Sequence, residues 1–436
     1  MSQSGPFCLT AYEYETLPLS RYPELLPSHL DALDRLQLQQ NANWFTRLHS
    51  SLRFNQFVGV IQVTGLLLEI LPKTDDVRRT SSPEADDHWR QVLLQMLAYV
   101  HDLSVAVPDA AHLAHSPHAM LDLFVAALVE EADSLLRQGL VKQYHTTDGN
   151  RSALKGRLLF QQHITHNLTH GERFFTRHQT YDHAHPLNSL IRMALQLATG
   201  QVRSPALAAR TRALLLHWPE LPPVAVPADS PQLNRKTERY HKALELALLL
   251  LRGHSPTLRS GRTEAVALLF DMNTLFERYV ARHLQRAAAK RRGHVRLQNS
   301  RVFWPGISIR PDLVLTLTTG AKPAEVSHTF ILDTKWKLPK NHRPSSDDMQ
   351  QIFAYCHLWK AGHGVLLYPR AGKAPAEIRR RYSDSHWAPD IAIEGHAYFA
   401  PVLGNGAVLN DSLGNDIIDY LEKSLVQKSV TPTSPA

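Results

Sequence analysis

Cysteine is nearly missing from this 436-residue chain: Cys8 and Cys356 lie far apart and belong to no CxxC pair. That excludes a disulfide framework and a zinc ribbon, and it points to a reducing compartment. Long hydrophobic runs are missing too. The most apolar stretches, such as residues 243–251, are far too short to span a bilayer. The start, MSQSGPFCLTAYEYE, has neither the basic nor the apolar region of a signal peptide. A cytoplasmic protein with no membrane partner is expected. No GxxxxGK[ST] occurs, so no P-loop is present, and no HExxH occurs. The 25 histidines are scattered, and His163 and His166 have no carboxylate or cysteine set beside them to make a zinc site.

What is present is a core-forming, basic chain. Hydrophobic residues make up 43%, enough for real cores, and the length suits two or three domains. A net charge of +8 admits a polyanion partner but equally fits a merely basic soluble protein. Three stretches follow from the patterning. Residues 1–87 read as a β-rich domain with a linker. Within it, residues 57–73 form two β-rich runs turned by Thr64-Gly65, with Leu66, Leu68 and Ile70 on one face and Glu69 on the other. The polar run 75–87 reads as a loop. Residues 88–255 carry helical periodicity at 88–103, 119–138, 187–198, 204–215 and 237–251, with a turn and short strand at 153–160. Residues 256–425 read as a long helix over 262–289, strands at 295–304, 307–317 and 329–336, a helix from Ser345 to Lys360, and a strand at 364–368. Residues 426–436 read as a disordered tail.

The chemistry lies in that last stretch. IRPDLVL puts Asp312 in one apolar run, and FILDTKWK puts Asp333 and Lys335 at the end of another. This is the form of a PD-(D/E)xK nuclease core. Phosphodiester hydrolysis needs an activated water, a neutralised phosphate and a stabilised leaving oxygen, and a hard divalent cation held by carboxylates serves all three. Asp312, Asp333 and the main-chain carbonyl of Thr334 are the expected ligands of Mg²⁺ or Mn²⁺. Lys335 falls on the same side of the strand as Asp333, because side chains alternate with period two. Glu277, on the preceding helix, reads either as an outer-shell or further metal carboxylate or as a surface residue paired with Arg278, Arg282 or another basic neighbour. Gln351 and Tyr355 share a face of the following helix, where Gln can bond a phosphate or a metal-bound water. Lys290, Arg291 and Arg292 read either as DNA-backbone contacts or as a solvated helix end.

These segments resemble McrC, the nuclease subunit of McrBC-type 5-methylcytosine-specific restriction systems. The matching pieces are DMNTLFERYVARHLQ (271–285), RPDLVL (310–315), ILDTKWK (331–337), DDMQQIFAY (347–355) and GVLLYP (364–369). Upstream, LKGRLLF (154–160), YDHAHPLNSLIRMAL (181–195) and VGVIQVTGLLLEILPK (58–73) are similar as well. The resemblance implies an α+β multidomain chain: an N-terminal β-rich domain, a helical middle region and a C-terminal PD-(D/E)xK restriction-endonuclease-like α/β domain. It implies double-stranded DNA with modified cytosine as substrate, and a McrB-like AAA+ GTPase hexamer as a partner that this chain stimulates. Asp312, Asp333 and Lys335 match the family's catalytic positions, as do Gln351 and Tyr355; Glu277 matches its helix glutamate. Arg157, in the Gly-Arg segment, reads as a partner or DNA contact, or as a structural residue paired with Asp182 or Glu172. Two other readings stay open from the residues alone: a non-catalytic adaptor of an AAA+ ring, and a stand-alone nuclease of the RecB type.

Overall fold

The computed structural model describes residues 7–73, 83–103, 118–256, 264–320, 325–370, 374–382, 393–404 and 408–426. The expected tail beyond Val426 and the polar stretch over 75–82 lie outside them. The chain is a mixed α/β protein that divides into two compact units, residues 1–119 with 269–436, and residues 120–268. The three consecutive stretches expected from the sequence do not follow this division, because the first unit is assembled from both ends of the chain. No helix among the described residues is long and apolar enough to cross a membrane.

The first unit opens with β1 (Phe7–Tyr12), β2 (Thr16–Pro18) and α1 (Pro27–Gln39), followed by β3 (Phe45–Arg47), β4 (Ser51–Phe54), β5 (Phe57–Val63) and β6 (Leu66–Leu71). β6 is parallel to β1 and antiparallel to β5. The β5–β6 hairpin turns at Thr64-Gly65, with Gly65 at φ +75° in the left-handed region that glycine alone adopts freely. Every residue of β6 is buried, so the strand has no solvent face and Glu69 is 2% exposed. Glu69 is tolerated there because Arg90 binds it through two bonds of 2.6 Å. Arg90 lies on α2 (Pro83–His101), which begins five residues earlier than the polarity of 75–87 suggests. Proline costs nothing at a first helical position, and Glu84 and Asp86 favour the positive end of the helix dipole.

The second unit holds α3 (Ala119–Gln138), whose first residue belongs to the first unit, then β7 (Gln143–Arg151), β8 (Arg157–Leu158), α4 (Phe160–Asn167) and β9 (Phe174–Asp182). It continues with α5 (Pro186–Gln201), α6 (Pro205–His217), α7 (His241–Gly253) and the short β10 (His254–Pro256). α3, α5, α6 and α7 match the periodicity, whereas α4 was not expected, since 153–160 read as a turn and a short strand with no helix after it. The antiparallel pairing of β7 with β9 over nine residues was not expected. Its sequence, QYHTTDGNR, alternates half-buried and exposed residues without an apolar face, so neither strand announces itself.

At the junction the expected long helix is corrected. Residues 264–271 form β11 (Glu264–Asp271), and α8 (Met272–Ala289) starts only afterwards. The run AVALLF suits a buried strand as well as a helix. The boundary is set by Asp271, which caps α8 by accepting from Thr274 N at 2.9 Å. The rest of the first unit comprises β12 (Gly293–Leu297), β13 (Arg301–Trp304), β14 (Ile307–Ile309), β15 (Leu313–Thr319) and β16 (Val326–Thr334). They are followed by α9 (Ser346–Trp359), β17 (His363–Pro369), β18 (Glu377–Arg381), β19 (Glu394–Ala400) and α10 (Leu413–Val426). Its six-stranded sheet has the order β12-β15-β16-β17-β19-β18. β15 is antiparallel to β16, while β16, β17 and β19 run parallel. Gly364 lets α9 approach the sheet: a Cβ there would lie 2.2 Å from Ile352.

Candidate active site

Asp312 directly precedes β15, and Asp333 and Thr334 close β16. The antiparallel register pairs Leu313 with Leu332, so the two aspartates flank one rung of the sheet. Asp312 Oδ2 accepts from Thr334 N at 2.7 Å and from Thr334 Oγ1 at 2.9 Å. Thr334 therefore supplies more than the main-chain carbonyl expected of it, since its N–H and hydroxyl hold Asp312 in place. Lys335 N donates to Leu367 O at 2.9 Å and extends the β16–β17 ladder one residue beyond the strand. The Lys335 ammonium lies 2.7 Å from Asp333 Oδ2, 3.7 Å from Asp348 Oδ1 and 3.5 Å from Gln351 Oε1. Gln351 Nε2 donates to Tyr355 OH at 2.7 Å, so the Gln–Tyr pair four residues apart orders the amide toward the lysine.

The electrostatics are those of crowded carboxylates. Burial pushes Asp333 up to about 6, the Asp312 charge adds to this, and Lys335 opposes it. Burial pulls Lys335 down, but Asp333, Asp348 and Asp312 outweigh it and its pKa ends above the ordinary lysine value. Glu277 is raised, first by burial and then by Asp312. It accepts from Gln298 Nε2 at 3.0 Å, while Gln298 N donates to Asp312 O at 2.9 Å. Of the pairings considered for Glu277, Arg282 is engaged elsewhere, with Asp102 and Val100 O. Another basic neighbour, Arg310, and then Arg278 act on it through their charges.

The structure thus brings Asp312, Asp333, Thr334, Lys335, Gln351 and Tyr355 together, with Glu277 close enough to sense the Asp312 charge. Several residues at the site were not among the sequence candidates. Gln298 bridges Asp312 and Glu277 from a left-handed backbone at φ +43°. Asp348 accepts from Lys337 Nζ at 2.8 Å and Ser345 Oγ at 2.7 Å while facing Lys335. Glu13 is the most distant of them in sequence. It is 2% exposed, and its Oε1 accepts from Trp336 Nε1 at 2.7 Å and from Lys73 N at 2.8 Å.

Arg291 is committed to Asp419 and Glu422 on α10, which ties that helix to the end of α8. Arg292 pairs with Glu325 at 3.5 Å, and Lys290 caps α8 exposed. Arg157 is exposed on β8 and pairs with neither carboxylate considered for it. Glu172 faces His170 and Arg173, and Asp182 faces His145.

Among the described residues, two donor sets could hold a metal ion. Asp312 and Asp333 offer hard oxygens beside the Thr334 carbonyl, which suits Mg²⁺ or Mn²⁺. His363, Glu394 and His396 form a second, buried set at the opening ends of β17 and β19. There Arg379 already sits 2.6 Å from Glu394 Oε2, and His396 Nδ1 meets Tyr420 OH at 2.7 Å. That set is a bonded network joining the sheet to α10.

Glu13 makes pH-dependent stability testable. Burial pushes its pKa up to about 8, against the bonds from Lys73 and Trp336. A carboxyl raised in the folded state contributes stability that is complete below its unfolded value near 4.5 and is lost as pH rises through 8. Glu13→Gln mimics the neutral acid and lacks that loss. Its stability relative to wild type is expected to climb between pH 5 and pH 8.5 by about a few kcal/mol. Parallel melting curves at both pH values would contradict this.

A solved structure resembles this chain in fold. The chain of a Thermococcus gammatolerans assembly described as a half-complex of McrB AAA+ hexamers with bound McrC is 18% identical. Its TM-score is 0.63, over 95% of this chain and 100% of that one, which is a likeness of fold. A chain of the Thermococcus gammatolerans McrBC complex is 19% identical with a TM-score of 0.45, over 64% of this chain and 88% of that one. No curated protein matches. The family described as McrBC 5-methylcytosine restriction system component matches residues 52–369, and the chain belongs to that family.

Proposed function

We propose that this chain is the DNA-cutting, McrC-like subunit of a methylcytosine-dependent restriction system, a Mg²⁺- or Mn²⁺-dependent endonuclease built on a PD-(D/E)xK core in residues 269–426. The observation that carries the reading is the meeting of Asp312, Asp333 and Lys335 at adjoining strand ends, with Gln351 aimed at the lysine from α9. The bound cation would polarise the phosphate and lower the pKa of its water. Asp312 and Asp333 would hold it with the Thr334 carbonyl, since both are hard donors and Asp312 is locked by Thr334. Lys335 neutralises charge developing on the phosphate oxygens and orients the attacking water, and Asp333 and Asp348 keep its ammonium charged. Gln351, ordered by Tyr355, offers a second hydrogen-bonding group at the same place.

The partner in this reading is a McrB-like AAA+ GTPase hexamer, and the substrate is duplex DNA carrying modified cytosine. Membership of the McrBC family supports the partner, as does the missing P-loop. The second unit also presents an exposed stripe among the described residues: Phe160, Ile164 and Leu168 recur at helical spacing on and just past α4, at 71%, 57% and 81% exposure. Exposed Arg157 stands beside it in sequence, after Gly156, whose φ of +79° and lack of Cβ allow contact with Arg177 O.

The test combines the purified chain, a McrB-like GTPase, GTP, Mg²⁺ and plasmid carrying methylcytosine. Cutting is expected in the complete mixture and not after EDTA. GTPase stimulation with no cutting would make the chain an adaptor. Cutting without the GTPase would make it a stand-alone nuclease.

A further inference from the structure

We infer that the N-terminal β sheet is the seat of the active-site lysine, and that Glu13 is a positioning residue acting on Lys335 through Trp336. The inference rests on the nuclease reading for its meaning, but its geometry stands alone.

Lys335 is gripped on both sides along the chain. Before it, Thr334 is bound by Asp312 through two hydrogen bonds. After it, Trp336 is 3% exposed, with its ring 5.1 Å from Phe276 on α8 and its N–H donated to Glu13 Oε1 at 2.7 Å. Phe276 directly precedes Glu277, so the indole also packs on the helix turn that faces Asp312.

Glu13 is built into this place. Its own N–H donates to Leu71 O at 3.0 Å, which continues the β1–β6 pairing, and its Oε1 collects the Lys73 N–H as well. Its Oε2 is buried with no hydrogen-bond partner among the described residues. A carboxyl group placed this deeply is costly, and an indole needs only one acceptor that a main-chain carbonyl could supply. A second anchor runs in parallel. Gln56, between β4 and β5, accepts from Met272 N at 2.9 Å and donates to the Asp271 cap at 3.2 Å. The same sheet therefore holds both the start of α8 and the residue after Lys335. A disturbance of the sheet reaches Lys335 through one hydrogen bond and one peptide unit.

The variants are Glu13→Leu, which removes the acceptor, Trp336→Phe, which removes the donor, and Glu13→Gln, which keeps a carbonyl oxygen for the indole. Two readouts are taken on the full chain. The first is acylation of the Lys335 amine by a water-soluble ester, followed by mass spectrometry, which needs no nuclease activity. The second is cutting by the chain with its GTPase partner over a range of DNA concentrations at saturating Mg²⁺. Glu13→Leu and Trp336→Phe are each expected to label Lys335 several-fold faster. Each is also expected to cut about tenfold slower with an unchanged KM for DNA, and the double variant should be no slower than the worse single one. Glu13→Gln should stay close to wild type in both. If Glu13→Leu does not fold, Trp336→Phe carries the test. Unchanged Lys335 labelling in folded Glu13→Leu or Trp336→Phe overturns the inference, whatever happens to cutting. Faster labelling in a chain that never cuts sustains the positioning and overturns the nuclease reading instead.

Discussion

Lys335→Ala is expected to reduce DNA cutting by about 10²–10⁴-fold while leaving stimulation of the GTPase partner intact. The size follows from two losses at once. The ammonium that neutralises charge on the phosphate is removed. In addition, Asp333 keeps its burial and its Asp312 neighbour but loses its counter-charge, 2.7 Å away. Its pKa, already about 6, rises further, and a protonated carboxyl is a poor ligand for a hard cation. Asp333→Ala should be at least as severe, because it deletes the ligand outright. Both can be read on a methylcytosine plasmid by gel, beside a phosphate-release assay of the partner. Cutting retained by both variants would move the catalytic site elsewhere in the chain.

Part of this site was legible because strands alternate. Asp333 and Lys335 had to share a side, and an acid at the end of each of two apolar runs had to meet if the runs paired. The Thr64-Gly65 hairpin was legible for a similar reason, since a glycine between two β-rich runs is a local signal. What escaped depends on contacts between residues distant in sequence. Glu13, in an unremarkable TAYEYE, becomes a buried acceptor only once β1 pairs with β6 and the chain has returned to Trp336. Gln298 matters because its backbone takes a left-handed turn beside Asp312, and no pattern marks that. Glu69 was placed correctly opposite Leu66, Leu68 and Ile70, but that face lies under α2 and not in water. The β7–β9 ribbon lacks the apolar face that periodicity detects. β11 was merged with α8 because AVALLF fits both periods and only the Asp271 cap separates them.

The second large effect is expected in the sheet that seats Lys335. Arg90→Ala should destabilise the chain by about 3–5 kcal/mol, read by urea unfolding near pH 8. Arg90 and Glu69 are 5% and 2% exposed, and Arg90 also pairs with Asp87 on its own helix. Removing the guanidinium leaves a carboxylate in the core with only a 3.4 Å bond from Thr10 Oγ1. Burial already holds the Glu69 pKa above its ordinary value, with Arg90 opposing. Without Arg90 it rises further. A carboxyl raised in the folded state contributes stability below its unfolded pKa and loses it as pH climbs through the folded value. The deficit of Arg90→Ala should therefore shrink toward pH 5 and widen toward pH 8. Replacing both partners with methionine should recover most of the stability, because the cost lies in the stranded charge more than in the lost pair. If Arg90→Ala unfolds with the same deficit at both pH values, the cost comes from the packing of α2 on β6 and not from Glu69. The salt bridge would then be incidental to the sheet on which Glu13 sits.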